Sequence, residues 1–196
     1  MDTHERMVRG AVDLLRRRGL SATSFRDLVA HTSTPRGSIY HHFPRGKEQL
    51  VEEAVHYAAR QVSATLEREF RAGAVEGVRA FLAIWRSVVV DSDYRAGCPV
   101  LAVALEEHPE NEGMTLLQAA DSALAEWAAL IAAALKAEGV SPERADRLGT
   151  FVVAAVEGTV AMCRARRDAG PLDDVGAELD ELLVGALRQA RSKRPG

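Results

Sequence analysis

The chain has 196 residues, with 25 Lys and Arg against 28 Asp and Glu, giving a formal net charge of -3 at pH 7. A composition of 47% apolar and 27% charged residues is that of a globular protein with material for a core, and the length suits one domain or one with a small appendage. The longest unbroken apolar run, Trp127 to Leu135, is nine residues, about half of what a membrane-crossing helix needs, and Asp2, Glu5, Arg6 and Arg9 stand where a signal peptide would be apolar. We therefore expect no membrane segment and a cytoplasmic location. Two separated cysteines, Cys98 and Cys163, make neither a disulfide scaffold nor a CxxC zinc site.

The net charge hides an asymmetry. Residues 1–50 hold nine basic and five acidic side chains, a balance of +4, which leaves -7 for residues 51–196. A basic head on an acidic body is compatible with a nucleic-acid partner, although a +4 face is also what an ordinary solvated surface can carry.

Taken in chain order, the pattern is helical. Val8, Ala11, Val12 and Leu15 recur at helical spacing up to Arg18-Gly19, where basic residues and a glycine mark the end. Ser24 followed three residues later by Asp27 resembles a capping box, and it opens a short second helix ending near His31 with Phe25, Leu28 and Val29 inward. Thr34-Pro35 predicts the start of a third helix, from Pro35 to His42, closed by Phe43-Pro44. A fourth helix runs from Lys47 to Arg71. Further helices are expected over 75–90, 98–108, 112–138, 142–167 and 171–191. No segment alternates with period two. The expected fold is all-α, with about nine helices: an N-terminal three-helix head with a helix-turn-helix (residues 1–50), joined through helix 47–71 to a larger C-terminal helical bundle for ligand binding and dimerisation (51–196).

His31-Thr32-Ser33-Thr34 is a four-residue turn between two short helices, which persist only if the first helix packs across both. In DNA-binding versions of this motif the second helix of the pair enters the major groove. Its first residues here are Thr34, Pro35, Arg36, Gly37 and Ser38. Arg36 can fork onto a guanine, Gly37 permits close approach, and Thr34, Ser38, Tyr40 and His41 can donate to phosphates or bases. Arg26 and Ser24 at the start of the second helix, and Lys47 at the start of the fourth, complete the candidate DNA-binding set.

The runs Ser24-Phe25-Arg26-Asp27-Leu28-Val29-Ala30, Pro35-Arg36-Gly37-Ser38-Ile39-Tyr40-His41-His42-Phe43-Pro44 and Lys47-Glu48-Gln49-Leu50 resemble the DNA-binding head of a TetR-type repressor over about the first fifty residues. The resemblance implies that Tyr40 and Lys47 hold phosphates, that Arg26, Arg36, Gly37 and Ser38 face the groove, and that Phe43 is core. Two residues, Arg45 and Gly46, separate Pro44 from Lys47 where most members have one, which shifts the expected docking of Lys47. That longer turn, with Gly97-Cys98-Pro99-Val100, resembles the LmrA/YxaF-type branch, whose members repress drug-resistance and efflux genes.

One head reads too few base pairs, so a homodimer on a palindromic double-stranded operator is expected. The last two helices, about 142–167 and 171–191, are the candidate interface: Gly149, Ala154, Ala155, Gly158 and Ala161 make one small-sided, and Val175, Leu179, Leu182, Leu183, Ala186 and Leu187 stripe the other. Packing inside one subunit is the alternative. A small hydrophobic or aromatic effector is expected among Phe81, Trp85, Cys98, Leu101, Leu105, Trp127, Ile131, Phe151 and Val152, which an ordinary aromatic core explains equally well. Arg86, Glu106 and Glu157 are weaker candidates for polar anchors.

Catalytic chemistry is not called for. Neighbouring His41 and His42 point to different helix faces and cannot chelate one metal, and no phosphate-binding, nucleophile-elbow or dinucleotide signature occurs. No cofactor or metal is expected. The sequence thus reads as a ligand-responsive repressor, with two rivals: a regulator of the same fold without an effector, and an all-helical enzyme.

Overall fold

The computed structural model describes residues 2–106 and 113–192. Among these residues nine α-helices and one 3-10 turn occur and no strand: α1 (Thr3–Arg18), α2 (Phe25–Thr32), α3 (Arg36–His42), α4 (Lys47–Glu69), the 3-10 turn Phe70–Ala72, α5 (Ala74–Asp91), α6 (Pro99–Leu105), α7 (Gly113–Ala137), α8 (Pro142–Arg166) and α9 (Gly170–Ser192). The all-α expectation holds. The expected helix ends at His108 and Glu112 lie outside the described residues.

The local signals act largely as read. Asp2 caps α1 by accepting the Glu5 N–H at 2.7 Å, and the Ser24 Oγ accepts the Asp27 N–H at 3.2 Å while donating to the Asp27 carboxylate. Helix α3 starts one residue later than expected. Pro35 keeps an extended ψ of 131° and is itself the N-cap, so Thr34 is not. The turn is correspondingly shorter, because α2 continues to Thr32 and ends on Ser33 in the left-handed region at φ 53°.

The described chain forms two compact units, residues 1–60 with 96–123 and residues 61–95 with 124–196. This division differs from a boundary at residue 50, and the reason is local to the first unit. Helix α6 is tied at both ends to the end of α1: the Gly97 N–H donates to the Arg16 carbonyl at 2.8 Å, and Glu106, just past α6, accepts from the backbone of Leu20 and Ser21. The core of the unit is made of Met7, Ala11, Leu14 and Leu15 of α1 with Leu28, Ile39, Phe43 and Leu50, all buried.

In the second unit α5, α8 and α9 pack on one another. Phe81, Trp85 and Trp127 meet edge to face, with ring centroids 5.8 to 6.2 Å apart. Gly149 lies so close to the Ala128 carbonyl that a Cβ there would collide with it, which seats α8 on α7. Glu138 accepts the Ala74 N–H at 2.6 Å and so caps α5. By length and composition α7 and α8 could each cross a membrane, contrary to what the nine-residue run implies. Their buried residues, among them Trp127, Ile131, Leu135, Leu148, Val152 and Val156, give them the apolarity of core helices.

Candidate nucleic-acid interface

The first unit presents α3 with Ile39 as its one buried residue and Arg36, Gly37 and Tyr40 exposed, so the helix is anchored by one side and open on the other. Tyr40 is 67% exposed and meets Phe25 edge to face at 6.0 Å, which holds an aromatic hydroxyl outward. A Cβ added to Gly37 would meet nothing within 4 Å, so nothing inside the chain requires a glycine there. Ser24, Arg26, Pro35 and His41 are exposed and Ser38 is half-buried. Thr34, by contrast, is buried, and its hydroxyl is 2.8 Å from that of Thr32. It braces the turn from within.

Ion pairs sort the basic residues of the head. Asp13 holds Arg16 and Arg17 and also the His31 Nε2 at 3.1 Å, Asp27 holds Arg18, Glu52 holds Arg45, and Glu5 holds Arg9. Burial opposes the Asp13 carboxylate, but its bonds to Arg16 and Arg17 outweigh burial and keep its pKa below the ordinary value. Arg36 forms no ion pair among the described residues. Among the described residues, exposed Arg36 of α3 and Arg26 of α2 are thus left to meet a polyanion, while Arg9, Arg16, Arg17 and Arg18 of α1 are paired.

Lys47 occupies a different position from the one expected of a phosphate contact. Its Nζ donates to the Leu20 carbonyl at 2.7 Å, and burial, opposed by the charge of Glu106, lowers its pKa. Glu106 in turn accepts from the Leu20 N–H, the Ser21 N–H at 2.7 Å and the Ser21 hydroxyl. Burial works against that carboxylate, yet the Ser21 and Leu20 donors and the Lys47 charge hold its pKa below the usual range. Glu106 is thus no anchor in an effector pocket. Its partners lie 85 and 86 residues away in sequence, a distance no local pattern bridges.

The expected effector residues divide between the units. Cys98, Leu101 and Leu105 belong to the first, where the Cys98 Sγ accepts the Leu101 N–H at 3.3 Å as the N-cap of α6 and Leu105 is 75% exposed. Phe81, Trp85, Trp127, Ile131 and Val152 are buried in the second. Phe151 is 53% exposed on the outer face of α8 and is not in that cluster. Arg86 pairs with Asp173, and Glu157 is buried.

Comparison with known proteins matches residues 8–54 to the family model for bacterial regulatory proteins of the tetR family, and residues 74–178 to that for the C-terminal domain of LmrA/YxaF-like transcriptional regulators. The chain is 38% identical over 186 residues to an HTH-type transcriptional regulator of Mycobacterium tuberculosis strain H37Rv, covering 93% of this chain and 95% of that one. It is 29% identical to the HTH-type transcriptional regulator LmrA of Bacillus subtilis, covering 93% and 97%. Among solved structures, a TetR transcriptional regulator from Legionella pneumophila has the same fold, with a TM-score of 0.83 at 22% identity over 93% of this chain and 97% of that one. The relatives are transcriptional regulators and not enzymes. A helix-turn-helix head, matched together with the body that follows it, makes this chain a member of the TetR family of transcriptional regulators, with an LmrA/YxaF-like C-terminal domain.

Proposed function

We propose that the chain is a ligand-responsive repressor, a homodimer that binds a palindromic operator and is released by a small hydrophobic or aromatic effector, with efflux or drug-resistance genes under its control. The last point rests on the likeness to the LmrA/YxaF-type branch alone. For DNA, the support is the Arg36-Gly37-Ser38 edge of α3, where an arginine without an ion pair adjoins a glycine that no packing demands. Ser24, Arg26, Pro35, Tyr40 and His41 flank that edge, and Thr34 acts by holding the turn.

The observation that carries the effector reading is the Trp85 indole N–H. It is buried beside Phe81 and Trp127 and has no hydrogen-bond partner among the described residues. A buried donor left unmade costs about 1 to 3 kcal/mol, and a planar molecule with an acceptor atom would recover that. Such a molecule shifts the equilibrium only by its preference for the released conformation, and DNA must then weaken its binding by the same factor.

The test is a binding assay on the DNA flanking the protein's own gene, with a scrambled duplex as control, followed by a panel of hydrophobic compounds. Selective binding, release by a compound, and a change in Trp85 and Trp127 fluorescence with that compound are expected. Equal affinity for the scrambled duplex overturns the operator reading. Failure of every compound to release DNA favours a regulator without an effector, whose aromatic cluster is simply core.

A further inference from the structure

Leu20 bears two charged groups on one residue: its N–H donates to the Glu106 carboxylate and its carbonyl accepts the Lys47 ammonium. The carboxylate is also fixed by both donors of Ser21. Gly19 makes room for it, since a Cβ at that position would collide with the Glu106 oxygen, and Gly19 has a φ of 80° that side chains resist. Glu106 is therefore a fixed negative charge beside a lysine that stands in the first turn of α4, with each of its bonds directed at residues 20 and 21 of the head. A carboxylate so placed offers Lys47 what a DNA phosphate would offer it.

We propose that Glu106 is an internal counter-ion that competes with the DNA backbone for Lys47, so that engaging a phosphate requires this lysine to leave the Leu20–Glu106 site. The exchange is one of partners, with no bond made or broken. In the free protein the lysine has given up part of its hydration to lie against Leu20, so a phosphate must outbid a carbonyl and a nearby carboxylate rather than water. Glu106 acts here through Lys47 and is a positioning residue, as it touches no DNA. The inference rests on the DNA-binding head of the family and is independent of which operator the head prefers, because phosphate contacts carry no sequence information.

Glu106→Gln removes the charge and keeps one acceptor oxygen, enough for the two Ser21 donors, while its amide nitrogen faces the Leu20 N–H. It is expected to tighten binding about two- to fivefold at low salt, the range of a partly exposed charge interaction, and to steepen the salt dependence by up to about one counterion. In a Lys47→Met background the same substitution should change neither quantity. A duplex of random sequence serves as well as the operator, so loss of operator preference leaves these results readable. Unchanged or weaker binding by Glu106→Gln, or a gain that survives in Lys47→Met, overturns the proposal. A second readout uses the unaltered protein: acylation of Lys47 without DNA, mapped by mass spectrometry, should be much slower than that of Lys136. Equal rates would show that the lysine is not held inward, and would overturn it too.

Discussion

Two glycines of the head show how one residue type serves different ends. Gly19 is required by the chain itself, through its φ of 80° and the carboxylate that fills the space beside it. Gly37 is not: it lies inside α3 with open space around it, where alanine would favour the helix by up to about 1 kcal/mol. A glycine kept at the cost of helix propensity points to something approaching from outside. Gly37→Ala should therefore raise the thermal midpoint slightly and weaken DNA binding, and a variant that binds as well as the parent would show that no groove wall comes close there. Arg36 carries the complementary expectation. Its guanidinium has no ion pair among the described residues to give up, so Arg36→Ala should leave stability unchanged, cost about 1 to 3 kcal/mol of operator affinity and relax preference at one base position. Binding measured on an operator library checks both effects, and an unaltered preference would remove Arg36 from the base contacts.

At the scale of elements, one carboxylate of α1 gathers charges from both α1 and α2. Asp13 takes Arg16 and Arg17 on its own helix and His31 across to α2. Because its pKa is depressed in the folded state, the contribution to stability is complete above the ordinary carboxylate range and is lost as pH falls through the depressed value. Asp13→Asn should therefore cost about 1 kcal/mol at neutral pH, and its melting curve should converge on that of the parent as pH falls through the depressed value. A gap that persists in acid would mean that packing, not charge, holds the pair. Much of this head was legible beforehand, because caps, turns and the apolar faces of α1 and α2 are written within four residues of one another. Helix α6 was not legible in the same way. Its start follows from Cys98-Pro99, though it ends at Leu105, short of the expected His108, and its membership of the head's unit depends on Gly97 and Glu106 meeting residues 16, 20 and 21. The long helices were ambiguous for a related reason: apolar periodicity says that a face is covered and not by what. Leu179, Leu183, Ala186 and Leu187 of α9, expected at a dimer interface, are buried within the chain, as is Gly149 against Ala128. Phe151, expected at an effector, points outward instead.

For the molecule as a whole, that redistribution moves the proposed dimer contact onto the opposite side of α8. Of the small residues expected on α8, Ala154, Gly158 and Ala161 are exposed, Phe151 and Met162 lie exposed beside them at helical spacing, and a Cβ on Gly158 meets nothing inside the chain. A stripe with a large apolar residue near either end and small residues between suits a second copy of the same helix crossing closely, as an isologous two-fold contact requires. Phe151→Glu tests this, since the symmetry would bring the new charge in twice, into a contact that buries it. Within one subunit the substitution falls on a 53% exposed side chain, so helicity should persist and intrinsic stability should change by about 0.5 kcal/mol or less. The dimer dissociation constant, by sedimentation, should rise tenfold or more, and the thermal midpoint should lose its dependence on protein concentration. Operator affinity should fall with it, toward that of a single head, while the salt dependence per head stays the same. A variant that sediments as an intact dimer would place the two-fold contact elsewhere on the body, and the outward face of α8 would then need a different partner.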